Sequence, residues 1–171
     1  FPEVFPVLET SYGALIEVYS MDAGFCSLAN ATRIAEAHKG YIFGLKGNQP
    51  ELWREAERLL GSQTVAEVKS EWEVYQGDRI RYHLYRTTEM AGYLDWDHLK
   101  QVWRVEKESR KGKTGKVERE NRYYVTNLHR GRFKPEQILL VVRLHWAIEN
   151  NCNWTMDVIW DEESQVWCGQ G

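Results

Sequence analysis

Two acidic residues stand where a carboxylate could take part in chemistry, and Asp22 is the first of them. It follows the apolar residues 15–21, which predict a strand, and it precedes the turn signal of Gly24. Open α/β sheets place their sites at the carboxyl ends of strands, beside strand-to-helix turns. An aspartate in that position can equally be a helix cap or a turn residue, so both interpretations stay open.

Glu149 is the second acid, and its position is defined by a helical pattern. Leu139, Val142 and Trp146 recur at helical steps, and Glu149 comes at the next step, so it falls on the apolar stripe. A buried carboxylate is costly unless it is paired or bound to a metal. An ion pair with His145, one turn earlier, is the structural alternative.

Carboxylates gathered from distant parts of a chain suit Mg²⁺, or Mn²⁺ in its place, because both ions prefer hard oxygen ligands. Two such ions about 3.5–4 Å apart can activate water and stabilise the leaving oxygen in phosphodiester cleavage. Two carboxylates are few ligands for a pair of metal ions. The chain offers further acids in Asp157, Asp161, Glu162 and Glu163, although a solvated acidic tail is the simpler interpretation of that run.

Residues 46–50 read Lys-Gly-Asn-Gln-Pro, between a predicted buried strand and a predicted helix. Backbone amides at the helix start, together with Lys46, could hold a phosphate. The segment lacks the Walker pattern, so it does not indicate a nucleoside triphosphate site. A tight turn is the plainer interpretation.

A basic segment spans residues 110–116. It contains Arg110, Lys111, Lys113 and Lys116 and no acid. Such a segment can be a solvated loop, or it can contact the DNA backbone, in which case affinity would fall steeply with salt. The net charge of −3 argues mildly against DNA binding by the surface as a whole.

The order of elements in the first third of the chain predicts an α/β fold. A strand at residues 15–21 is followed by a helix capped by Ser27, a buried strand at residues 41–45, and a helix that starts at Pro50 and stops at Gly61. Strand, helix, strand, helix favours a parallel sheet.

The pattern of polar and apolar residues changes from about residue 70 to residue 128. Polar and apolar residues alternate there, which predicts antiparallel strands with one solvated face. The charge-rich residues 106–121 predict a hairpin tip. Pro135 then opens the helix that carries Glu149.

Composition narrows the class of protein. The chain has no run of about 18 apolar residues, which argues against a membrane span. Cys26, Cys152 and Cys168 are an odd set without a Cys-x-x-Cys pair, which argues against a disulfide framework or a zinc cluster and favours a reducing cytosol.

The motifs occur in an order that resembles a known family. They are DAGFCS at residues 22–27, YIFGLKGNQP at residues 41–50, RLHWAIEN at residues 143–150 and WTMDV at residues 154–158. Together they are similar to the H-repeat-associated DDE transposases of the ISAs group of bacterial insertion sequences, over about residues 14 to 164.

The resemblance implies an RNase H-like α/β fold with a β-rich insertion. Its segments would be a partial core at 1–69, the insertion at 70–130 and a C-terminal catalytic helix region at 131–171. Asp22 would be the second acid of the triad and Glu149 the third. The first acid, in an Asp-Gly-Lys context, would precede Phe1, so we expect the chain as given not to cut or join DNA.

The resemblance also implies the reaction and the partners. Mg²⁺ or Mn²⁺ held by the acids would activate water to cut DNA at the element's ends, and the freed 3′ hydroxyl would attack target DNA. The implied partners are DNA and further copies of the protein in a homo-oligomer. The implied location is the bacterial cytoplasm, at the nucleoid, away from any membrane. The residues expected at the DNA are Lys46, Asn48, Gln49, Arg110, Lys111, Lys113, Lys116, Arg143, His145 and Trp146.

Some positions depart from the family's pattern. Asn153 stands where histidine is frequent, and residues 163–167 lack the basic residue that often follows the acidic block. Two other hypotheses remain. One is a different RNase H-like nuclease, against which the Lys-Gly-Asn-Gln-Pro block argues. The other is a non-enzymatic remnant of a transposase that binds DNA or nothing.

Overall fold

A computed structural model of the protein describes the backbone of residues 1–154 and the side chains of residues 1–147. The chain divides into two compact units, residues 1–139 and residues 140–171. The first unit contains the whole sheet and three of the four described α-helices. The last helix begins in the first unit, and its remaining residues belong to the second.

The described elements follow one another as helix, strand and hairpin. They are α1 (Val4–Tyr12), β1 (Val18–Met21), a short 3₁₀ helix (Ala23–Phe25), α2 (Leu28–Glu36), β2 (Gly40–Leu45), α3 (Pro50–Leu60), β3 (Val68–Lys69), β4 (Glu73–Tyr75), β5 (Asp78–Thr87), β6 (Gln101–Arg110), β7 (Val117–Thr126) and α4 (Pro135–Trp154).

The sheet is mixed and mostly antiparallel. Its seven strands lie in the order β1-β2-β7-β6-β5-β3, with β4 paired to β5. β1 and β2 are parallel, in a register that pairs Met21 with Phe43. The predicted parallel sheet is therefore confirmed for this pair, whereas β2 meets β7 in antiparallel orientation. The helix α2 supplies the crossover that parallel neighbours need, whereas β2 and β7 are joined through several intervening elements, so local connections do not set their orientation.

The predicted boundaries near Asp22 are largely confirmed. β1 ends at Met21 as expected, although it starts at Val18 because Leu15 is 83% exposed and lies in a turn. The Ser27 hydroxyl caps α2 by accepting the amide of Asn30 at 3.2 Å. Pro50 lies in the first turn of α3, where its missing N–H costs no helical hydrogen bond.

Strands β5, β6 and β7 form an antiparallel ribbon that extends past β2. Leu45, the last residue of β2, pairs with Tyr123, whereas β7 starts at Val117, six residues earlier, and pairs with β6 to that end. At about 3.4 Å per residue, the ribbon projects roughly 20 Å beyond this edge. Its tip is formed by residues 111–116, so the flanking strands are longer than the sequence pattern predicts.

One face of the sheet packs under α2 and α3. The rings of Tyr41 and Phe43 on β2 stack with centroids 4.7 Å apart, and both side chains are fully buried. Ile34 of α2 and Leu52 of α3 are buried in the same cluster. Because β2 is covered in this way and flanked by strands on both sides, it reads as a continuous apolar run rather than as an alternating one.

A buried arginine ties the end of α3 to the sheet. Arg104 on β6 is 2% exposed, and its guanidinium donates to the carbonyl oxygens of Gly61 and Gln63, each at 2.7 Å. The same group lies 3.7 Å from the ring centroid of Tyr85. Both carbonyl oxygens lie just after the last turn of α3, where no helical N–H is available to them, so Arg104 supplies their hydrogen-bond donor.

The apolar stripe predicted for α4 is confirmed. Ile138, Leu139, Val142 and Trp146 are buried, whereas Leu140 and Leu144 are 54% and 55% exposed. Glu149 lies within the helix, but its side chain falls outside the described residues, as do Asp157, Asp161, Glu162 and Glu163. No helix in the described part of the chain is long and apolar enough to cross a membrane.

Removing the Arg104 guanidinium tests its structural role. We expect Arg104→Met to lower the free energy of unfolding by about 2–4 kcal/mol, because two charge-assisted hydrogen bonds are lost and two carbonyl oxygens stay buried. Urea unfolding followed by circular dichroism gives the value. Arg122→Met is the matched control, since that side chain is 42% exposed and paired with Glu120, and it should cost less than about 1 kcal/mol. Equal losses in the two variants would contradict the assignment.

Candidate functional site

The end of β1 presents Asp22 at the surface. Its side chain is 54% exposed, and Oδ1 accepts the amide of Ala23 at 2.6 Å, which caps the 3₁₀ helix. The capping role considered as an alternative is therefore real. It occupies one carboxylate oxygen, and Oδ2 forms no hydrogen bond to any described residue. The carboxylate can cap the turn and still bind a cation.

Lys46 lies beside Asp22 because β1 and β2 run in parallel and end at the same edge. The Nζ atom of Lys46 is 3.6 Å from Oδ1 of Asp22, and the lysine side chain is 70% exposed. An ion pair between groups this exposed contributes little stability, about 0–1 kcal/mol. The ammonium is therefore free to leave the carboxylate when another partner approaches.

The amide side chains of Asn48 and Gln49 hold the turn that follows Asp22. Asn48 Nδ2 donates to the carbonyl oxygen of Ala23 at 2.7 Å and lies 3.4 Å from that of Cys26. Gln49 Nε2 donates to the carbonyl oxygen of Cys26 at 3.0 Å. In this structure both amides act on the backbone of the site, and the DNA contact expected of them stays a prediction.

Gly44 lets the turn lie directly on β2. A Cβ atom at this position would be 3.1 Å from the backbone nitrogen of Ala23, closer than ordinary side-chain contacts. The same nitrogen donates to the Asp22 carboxylate. A side chain at residue 44 would therefore press on the hydrogen bond that orients Asp22.

The buried Cys26 packs in the core beneath this turn. It is a free cysteine with 2% exposure, and burial raises the pKa of its thiol to about 12. A protonated, inaccessible thiol is a poor nucleophile and a poor metal ligand. Cys26 therefore serves packing at the site.

The arrangement brings four of the predicted site residues together, namely Asp22, Lys46, Asn48 and Gln49. It forms a surface with one exposed carboxylate, one exposed ammonium and a hydrogen-bonded backbone turn. Within residues 1–147, no group of three or more histidine, cysteine or acidic side chains is close enough to hold a metal ion. Arg143, His145 and Trp146 lie on α4 in the second unit; Trp146 is buried and the other two are half-buried.

The basic hairpin tip is more neutral than its sequence predicts. Lys111 pairs with Asp78 at 2.9 Å and with Glu118 at 3.4 Å. Lys116 also pairs with Glu118, at 2.9 Å. A hydrogen bond from Lys111 holds the pKa of Asp78 below its usual range, so the pair is charged at neutral pH. Lys113 is exposed and has no ion pair with a described residue.

A second basic cluster lies lower on the ribbon. It shares Arg110 with the predicted basic segment, and the sequence motifs did not reveal its other members. The guanidinium carbons of Arg79, Arg81 and Arg110 lie 5.2, 4.5 and 4.6 Å from the ring centroid of Trp72. Arg81 donates two hydrogen bonds to Oε2 of the buried Glu108, at 3.0 and 2.8 Å. The sequence does show that Arg79 and Arg81 alternate with apolar residues. Only the strand register shows that they share a face with Arg110.

Comparison with known proteins identifies relatives for almost the whole chain. The family model described as Transposase DDE domain matches residues 5–170. The chain is also 24% identical over 158 residues to the protein named "Putative transposase YncI" of Escherichia coli O157:H7, a match that covers 85% of this chain. The chain spans 39% of that relative's length.

Truncating Asn48 tests the link between the two loops. We expect Asn48→Ala to lower the free energy of unfolding by about 1–2 kcal/mol, because a part-buried carbonyl loses its donor. Hydrogen exchange at the amides of Phe25 and Cys26, which close the turn, should accelerate. Gln63→Ala is the control, since that exposed amide bonds only within its own segment, to Leu59. Unchanged exchange at the two amides would show that Asn48 does not hold the turn.

Proposed function

Because the chain belongs to the transposase DDE domain family, we propose that it is the catalytic domain of an enzyme that cuts DNA and joins the cut strand to a target. The family match over residues 5–170 is the observation that carries this proposal. The site geometry supports it, since an exposed aspartate ends a strand at the edge of the sheet beside a basic residue.

A divalent cation, Mg²⁺ or Mn²⁺, would be held by Asp22 and Glu149. Asp22 fits this part because its carboxylate is exposed and one of its oxygens has no hydrogen bond to the described residues. Such ions keep water in much of their coordination shell, so few protein ligands suffice. When bound, the ion supplies Lewis acidity at the scissile phosphodiester.

Lys46 would exchange partners when DNA arrives. In the free protein its ammonium lies 3.6 Å from Asp22 and offsets the charge of that carboxylate. A phosphate entering the edge of the sheet offers a stronger charge-assisted contact than an exposed ion pair does. Lys46 would then orient the DNA backbone and leave Asp22 free for the cation.

The turn at residues 23–26 would keep Asp22 in place during this exchange. Its backbone is held by Asn48 and Gln49, and its first amide holds Oδ1. Reactive groups need orientation within about 0.5 Å by supporting contacts. The Lys-Gly-Asn-Gln-Pro segment would thus have two roles. Lys46 would supply a positive charge to the DNA, and the amides of Asn48 and Gln49 would hold the turn that positions Asp22.

The finer identity of the protein is part of the same proposal. The motifs favour the H-repeat-associated ISAs group, with an RNase H-like core at 1–69, a β-rich insertion at 70–130 and a C-terminal helix region at 131–171. The proposed partners are the DNA at an element's ends, target DNA and further copies of the protein. The proposed location is the bacterial cytoplasm, at the nucleoid.

A nicking assay tests the proposed chemistry. The longest protein that contains these residues is incubated with supercoiled DNA carrying element ends, in Mg²⁺ and in Mn²⁺. Asp22→Asn and Glu149→Gln should each slow nicking by about a hundredfold or more, since a metal site lowers the barrier by several kcal/mol.

The control is Asp95→Asn, which removes an exposed carboxylate from the β5–β6 loop and should leave the rate unchanged. Joining of a labelled 3′ hydroxyl end to a plasmid distinguishes a transposase from a simple nuclease. Nicking by Asp22→Asn at the unaltered rate would refute the assignment of that acid.

A further inference from the structure

Four arginines share one face of the ribbon, and the site at Asp22 uses none of them. Arg79 lies directly opposite Arg110 across β5 and β6, while Arg81, Glu108 and Arg119 form the next row across β5, β6 and β7. Because residues two apart on a strand and partners across strands share a face, these side chains point the same way. The four arginines are called the arginine face.

This face carries an excess of positive charge. Over these two rows and the next, which pairs His83 with Glu106, its acids are Glu106 and Glu108, two against four arginines. On the opposite face, the charges at the corresponding positions balance. They are Lys107 and Arg122 against Glu118 and Glu120. One face of the ribbon therefore has a net positive charge and the other is close to neutral, a difference that the net charge of the whole chain does not show.

Trp72 organises the arginine face. Its ring centroid lies within 5.2 Å of the guanidinium carbons of Arg79, Arg81 and Arg110. Like charges directly opposite each other across two strands, as Arg79 and Arg110 are, destabilise a sheet. Contact with an aromatic ring offsets part of that repulsion and limits the conformations of the long side chains.

The arginines differ in how far their charge is already used. Arg81 is committed to the buried Glu108 through two hydrogen bonds. Arg110 is exposed and reaches the other oxygen of Glu108 only at 3.4 Å. Arg79 is exposed and has no ion pair with a described residue. The Arg79 guanidinium is thus available to an anion, and the neighbouring Arg110 can exchange its two long contacts with Glu108 for contacts with that anion.

We propose that Arg79 and Arg110, held against Trp72, bind the phosphodiester backbone of double-stranded DNA, with Arg119 extending the contact along the ribbon. The planar guanidinium matches phosphate geometry and donates two parallel hydrogen bonds. The choice of DNA rests on the proposed function. Lys111 and Lys116 of the hairpin tip are weaker candidates, since each has an ion pair at 2.9 Å. The pairs of Arg110 with Glu108 and of Arg119 with Glu106 are longer, at 3.4 and 3.8 Å.

The position of the arginine face relative to the site favours the same ligand. Tyr123 pairs with Leu45, the residue before Lys46, and Arg119 lies four residues along β7 from Tyr123. At about 3.4 Å per residue the separation is roughly 14 Å, a few nucleotides of duplex. This spacing is short enough for one duplex to contact both Lys46 and Arg119.

Salt-dependent DNA binding tests the proposal. A fluorescent 30-base-pair duplex is titrated with the chain in EDTA at several salt concentrations. Arg79→Gln/Arg110→Gln should flatten the slope of log affinity against log salt by about 1 to 2, at about 0.9 per phosphate contact. The control is Lys107→Gln/Arg122→Gln, which removes the same charge from the opposite face and should change the slope by less than half as much.

Arg79→Lys/Arg110→Lys keeps the charge and loses the guanidinium fork. It should retain the wild-type slope but weaken binding at every salt concentration by several-fold. Both residues are exposed, and thermal unfolding should confirm that all variants fold. Equal losses from the two faces, or no binding of duplex by the wild-type chain, would overturn the proposal.

Two further arms separate this proposal from others. If a single-stranded RNA of the same length loses affinity in Arg79→Gln/Arg110→Gln while the duplex does not, the ligand named here is wrong. Asp95→Asn, which removes an exposed carboxylate from the β5–β6 loop, should bind the duplex as the wild type does. If the longest protein that contains these residues does not nick DNA but the duplex still binds as described, the proposed catalysis is refuted and the arginine face stands.

Discussion

The parallel pairing of β1 with β2 is the constraint from which the candidate site follows. Parallel neighbours need a crossover, which α2 supplies, and they end at the same edge of the sheet. Asp22 and Lys46, 24 positions apart in sequence, meet there for that reason. Because Gly44 has no side chain, the turn after Asp22 can pack directly against β2. Asn48 and Gln49 then fix that turn through its carbonyl oxygens.

The antiparallel ribbon adds a second functional element to this edge. The ribbon pairs with β2 through β7, and β2 ends at the site. The charged residues of the ribbon lie farther along β5, β6 and β7, beyond the end of β2. Pairing across strands decides which of those charges remain available. Acids from neighbouring strands pair with Lys111 and Lys116 at 2.9 Å. Arg79 has no ion pair with a described residue, and Arg110 reaches Glu108 only at 3.4 Å. A surface of this kind can bind DNA although the whole chain carries a net charge of −3.

Local signals in the sequence predicted the local structure well. Ser27, Pro50 and the apolar stripe of α4 mark elements that the structure confirms, because capping, proline geometry and helical periodicity act over a few residues. The antiparallel pairing of β2 with β7 joins residues about 80 positions apart, and no local pattern encodes it. The same limit applies to charge. Residues 110–116 contain no acid in sequence, yet Asp78 and Glu118 supply acids across the hairpin.

We propose that Asp22 and Glu149 bind the same divalent cation. Binding of Mn²⁺ to the chain, followed by the loss of the electron paramagnetic resonance signal of the free ion, measures this directly in four proteins: wild type, Asp22→Asn, Glu149→Gln and the double variant. If the two acids share an ion, each single variant should lose nearly as much affinity as the double variant, because removing either ligand disrupts the same site. Losses that simply add, or unchanged binding in Asp22→Asn, would contradict the claim.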